Sequence, residues 1–77
     1  GINDVTAVNV KVYPNPVVNV LHVNVEALRI DVYNAGGALV ADASNADSVN
    51  VAHLPAGYYI AVVATADGTA RIPFVKK

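Results

Sequence analysis

The chain has 77 residues, no cysteine, five Lys and Arg against six Asp and Glu, and a net charge of −1. That length fits one domain, and a hydrophobic fraction of 55% with only 14% charged residues argues against disorder and leaves some apolar surface uncovered. No basic stripe exists for a phosphate backbone, and disulfides, thiolate metal sites and a Cys nucleophile are excluded. The first predicted strand runs to Tyr13, with Val8, Val10 and Val12 on one face and Asn9, Lys11 and Tyr13 on the other. Pro14 and Pro16 stop it, because neither can donate to a ladder. A second strand is predicted from Val18 to Val25, with Leu21, Val23 and Val25 facing in and His22 and Asn24 facing out. A third carries Leu28, Ile30 and Val32 against Arg29, Asp31 and Tyr33, and Asn34-Ala35-Gly36-Gly37 turns the chain. Leu39 to Ala43 reads as a short fourth strand, residues 43–47 as a loop, and Val49 and Val51 as a short fifth strand. After the tight Pro55-Ala56-Gly57 connection, Tyr58 to Thr65 is a nearly unbroken apolar run and predicts a central strand. Asp67-Gly68 signals a two-residue hairpin. Ala70, Ile72 and Phe74 alternate with Arg71, Pro73 and Val75 in a last strand, which Pro73 places at a sheet edge.

No segment carries a helical period with caps, so the fold class is all-β. Seven short strands with frequent turns predict an immunoglobulin-like β-sandwich of two antiparallel sheets. No apolar run is long enough for a membrane-spanning helix, and the start has no signal-peptide pattern. Any export would then be specified upstream, in a longer precursor from which this chain is an excised module.

Constellations for chemistry are sparse. Asp4, Glu26, Asp31, Asp42, Asp47 and Asp67 fall at turns or on polar strand faces, with no paired set for acid–base work. His22 and His53 would need a further carboxylate to hold zinc, and read as surface histidines. Neither Ser44 nor Ser48 sits in a nucleophile elbow, and Asp67-Gly68-Thr69 is a hairpin rather than half of an aspartic-protease site. No enzyme and no cofactor is expected. Tyr13, Tyr33, Tyr58 and Tyr59 combine an apolar ring with a polar tip; clustered on one face they would make a sugar-binding platform. Asn15 and Asn34 are expected to fix turns through side-chain hydrogen bonds. Lys76-Lys77 reads either as a solvated tail protecting an apolar edge strand or as a cationic handle for a receptor.

Five elements in order carry a resemblance. They are Val12-Tyr13-Pro14-Asn15-Pro16, then Leu21-His22-Val23, then Val32-Tyr33-Asn34-Ala35-Gly36-Gly37 with Leu39-Val40, then Leu54-Pro55-Ala56-Gly57-Tyr58-Tyr59, and finally Phe74-Val75-Lys76-Lys77. This order resembles the C-terminal sorting domain, type A, of type IX secretion cargo. Two departures stand out. Pro73 adjoins Phe74, so that Arg71 is the nearest base, and Gly37-Ala38 stands where Gly-Arg is frequent.

The resemblance implies an address label rather than a catalyst. Such a domain ends a protein that crosses the periplasm, is recognised by the outer-membrane type IX translocon and is cut off by a gingipain-like cell-surface sortase. The cargo is then released or joined to lipopolysaccharide at the cell surface, in bacteria of the Bacteroidota. Residues 1–6 would be a linker remnant near the cut and residues 7–77 the sorting domain. Recognition would fall to Gly57, Tyr59, Arg71, Phe74, Val75, Lys76 and Lys77. Structural turns would come from Tyr13, Pro14, Asn15, Pro16, Gly36, Gly37, Asp67 and Gly68. The expected partners are the translocon and the sortase, with no nucleic acid, and the last strand's edge suggests a homodimer by edge pairing or exchange. An immunoglobulin-like adhesion or spacer module is the competing reading from the strands alone.

Overall fold

In the computed structural model, residues 10–77 are described, and the Val8 end of the first expected strand and the 1–6 linker lie outside them. Strand β1 (Val12–Tyr13) is followed by β2 (Val20–Asn34), β3 (Leu39–Asn50), β4 (Gly57–Thr65) and β5 (Gly68–Lys76), with no helix among the described residues. All pairings between these strands are antiparallel, in the order β1-β2-β4-β5 with β3 also on β2.

The all-β reading holds; the seven-strand, two-sheet sandwich does not describe these residues, which form five strands in one curled sheet. The second and third expected strands are one continuous β2. Its start lies between β1 and β3, where His22 is opposite both Tyr13 and Ser48. Its later part lies between β3 and β4, where Ile30 is opposite Ala43 and Val63. Between His22 and Ala27 the register with β3 slips. The chain bends there without reversing, and Ala27 is buried rather than part of a turn.

The expected loop at residues 43–47 is part of β3. Its small polar residues have weak strand propensity, yet Ala43, Ser44 and Ala46 pair with Ile30, Arg29 and Ala27. Context therefore overrides propensity. Within this stretch Asn45 takes φ 50, and Asn tolerates the left-handed region better than most residues.

One core results from the curl. Leu21 and Val23 come from the first half of β2, Ile30 and Val32 from the second, with Val49 and Val51 at the end of β3. Tyr59, Ala61 and Val63 of β4, Phe74 of β5 and Val17 of the β1–β2 connection complete it. Burying each of the larger side chains contributes roughly 1.5–3 kcal/mol. The alternation read from the sequence assigns Leu21, Val23, Ile30, Val32 and Phe74 to this face, but Leu28, which shares the parity of Ile30 and Val32, is 56% exposed.

Candidate functional site

The first, fourth and fifth of the motifs that carry the resemblance meet around the open end of the β4–β5 hairpin. Tyr59 and Phe74 are cross-strand partners on the core face, with ring centroids 5.7 Å apart and planes 22° apart. Both are buried, and the Tyr59 hydroxyl donates to the Pro55 carbonyl at 2.6 Å. That bond ties the Leu54–Gly57 approach to the strand it feeds, as in a tyrosine corner. Gly57 opens β4 at φ +153, where a side chain strains the backbone although a Cβ would meet no atom within 4 Å.

The hairpin turn sits one residue earlier than expected. Thr65 pairs with Gly68, so Ala66-Asp67 form the turn and Gly68, at φ 140, starts β5. The Thr65 hydroxyl explains the shift: it donates to the Gly68 carbonyl at 3.0 Å and accepts from the Asp67 amide at 3.2 Å.

The first motif closes over the last strand. The Asn15 Oδ1 accepts from the Val75 amide at 3.0 Å, across 60 residues of sequence. The Val17 amide donates to the Val75 carbonyl at 2.8 Å, and the Lys77 amide donates to the Val17 carbonyl at 2.8 Å. Val17 and Lys76 thus form a parallel bridge, and Val17 is fully buried. Asn15 was expected to fix its own turn; its carbonyl oxygen instead serves the far end of the chain. Tyr13, beside it, stacks on His22 with centroids 5.5 Å apart. Both X-Pro bonds of the motif, at Pro14 and Pro16, are cis.

The tail is therefore not a free cationic handle. Lys76 is only 6% exposed, and its ammonium donates to the Lys77 main-chain oxygen at 3.0 Å. It follows Ala70, Ile72 and Phe74 in the inward-facing alternation of β5. Lys77 is exposed, and Val75 is half-buried. Arg71 is exposed on the outer face of β5 and belongs to a separate surface beside Tyr33 and Ile60.

The Asn34–Gly37 turn forms as expected. The Asn34 Oδ1 accepts from the Gly36 and Ala38 amides at 2.9 and 3.0 Å, and Gly37 takes φ +89. His22 and His53 are both exposed, and the described residues contain no group of three metal-ligating side chains. The tyrosines do not share one face: Tyr59 is in the core, and Tyr13 lies at the opposite end of β2 from Tyr33. Sequence reasoning missed Val17 and the inward lysine. For Lys76 the signal was available, because it shares the parity of Phe74.

The family model described as the secretion system C-terminal sorting domain matches residues 11–77. The chain belongs to this family. It is a C-terminal sorting domain of type IX secretion, and its role is to direct an attached protein to the cell surface or the medium. The matched span begins just before the motif that clamps the tail and ends at Lys77, so it contains both halves of the closure. Neither a curated protein nor a solved structure matches the chain.

Proposed function

We propose that the sorting domain is read as a folded unit, at the end where its first and last motifs meet. The observation that carries this reading is the hydrogen-bonded closure of Asn15 and Val17 onto Val75 and Lys77. A signal spread over the chain becomes one continuous surface only when this closure forms. Gly57, Tyr59 and Phe74 shape it from within, and Val75 and Lys77 present it. Lys76 contributes mainly by anchoring the strand's end to the core.

The sorting domain reaches the translocon from the periplasm and itself performs no chemistry. A gingipain-like sortase at the cell surface then cuts upstream of it, near residues 1–6, and the cargo is released or joined to lipopolysaccharide. A compact domain with an apolar core suits this role, because it presents the same surface whatever protein precedes it.

The test is export of a reporter with a periplasmic signal at its front and residues 1–77 at its back, in a type IX-competent host. Reporter at the surface or in the medium is expected, with loss on deleting residues 74–77 or the translocon. Because Phe74 is a core residue, Lys77→Glu and Asn15→Ala serve as fold-preserving companions. A reporter held in the periplasm with its domain folded would instead favour an adhesion or spacer module.

A further inference from the structure

The outer face of the β2–β4–β5 sheet carries a feature that neither the closure nor the core uses. An open depression of about 260 Å³ is lined by Tyr33, Asn34, Ala35, Gly37, Ile60 and Arg71. Ile60 stands between Tyr33 and Pro73 in one cross-strand row, so the floor is apolar. Arg71 makes no hydrogen bond or ion pair among the described residues. Arg29 provides the contrast, bonding Asp31 at 2.7 Å and Asp42 at 3.0 Å. Asp31 shares the Val62–Arg71 row but is engaged by Arg29.

Beside this depression runs an edge with hydrogen-bonding groups to spare. Val75 turns its amide and carbonyl away from β4, toward Asn15 and Val17. In an antiparallel ladder that orientation alternates, so Pro73, Arg71 and Thr69 direct their main-chain groups the same way. Pro73 lacks an N–H and offers only its carbonyl, whereas Arg71 and Thr69 offer both groups. Among the described residues no strand pairs with this stretch, and the closure covers only residues 75–77.

We propose that residues 69–73 and the adjoining depression take an extended, acidic segment of a partner protein by strand addition. The segment's main chain pairs with Thr69 and Arg71, which supplies affinity without demanding a sequence. A carboxylate on the segment meets the Arg71 guanidinium, whose planar fork suits two-point contact with a carboxylate. Charge complementarity selects an acidic occupant, because Arg71 is the cation at the depression and has no anion of its own. The identity of the partner as a component of the export machinery rests on the sorting reading; the chemistry of the groove does not.

The experiment titrates the 15N-labelled chain with the peptide acetyl-Thr-Glu-Val-Glu-Thr-amide and with its counterpart carrying Lys in place of Glu. The acidic peptide should shift the amides of Thr69, Arg71, Ile60 and residues 34–37 saturably, at least tenfold more tightly than the basic one. Arg71→Glu should abolish that response while leaving the rest of the spectrum in place, and Arg71→Lys should keep part of it. Equal response to both peptides, shifts centred elsewhere, or unchanged binding by Arg71→Glu would overturn the proposal. A self-association that depends on Arg71 would also overturn it, by naming a second copy as the occupant. In the export assay, Arg71→Glu should fall well below the wild type. Equal export of the two refutes the groove's role, whereas failure of the wild type refutes the sorting reading and leaves the peptide result standing.

Discussion

The two halves of this sheet are held in different ways. The β4–β5 hairpin pairs residue for residue from Gly57–Lys76 to Thr65–Gly68 without a break. The β2–β3 pair slips twice, at His22/Ala27 and at Val32/Tyr33, and its β3 strand is built largely from Ala, Ser, Asp and Asn. The hairpin also carries aromatic core contacts and the clamp from Asn15 and Val17. Much of β3 puts small side chains on a half-buried surface, although its Val49 end joins the core. Geometry is thus tightly specified where the two ends of the sorting domain meet. It is loose where the sheet only has to be completed.

That contrast can be broken from the strong side first. Phe74→Ala removes a ring that is 2% exposed and should cost about 3–5 kcal/mol, read as a large fall in the thermal midpoint. In a domain this small such a loss approaches the whole stability. Gly57→Ala should cost roughly 1–3 kcal/mol through backbone strain alone, since its Cβ clashes with nothing. Chemical denaturation should show the midpoint falling with an unchanged slope. Asn15→Ala removes the acceptor of the Val75 amide and should cost about 1 kcal/mol. Amide exchange should quicken at Val75 first, which a general loosening would not do.

The weak side sharpens the comparison. Arg29→Ala removes two exposed ion pairs that hold Asp31 and Asp42, which stand opposite each other on β2 and β3. Exposed pairs of this kind contribute about 0–1 kcal/mol. The midpoint should therefore move little, and the difference from wild type should shrink in high salt.

What was legible in the sequence follows the same division. Strand faces in β5 and most of β2 were readable because alternation marks the buried side; the apolar run of β4 marked its central place but not its buried face, and the Asn34–Gly37 turn was readable because its chemistry is local. The residues 43–47 were misread because their pairing is imposed by β2 and leaves no mark in their own composition. The break expected between Val25 and Leu28 was likewise a bend whose two sides share one core. Asn15 was beyond reach for a different reason: its partner lies 60 positions away. Lys76 was in reach, but its charge outweighed its parity in the reading.

The clamp also has a consequence in time. A chain emerges from the ribosome front end first, so Asn15 and Val17 exist long before Val75 and Lys77 can meet them. Closing a loop of this length costs roughly 4 kcal/mol of chain entropy, which only the late strand's own contacts can repay. Until residues 75–77 are made, the Asn15 Oδ1 and the Val17 amide and carbonyl have none of these partners. The latch between these two segments therefore shuts late: it waits for residues 75–77 to be made.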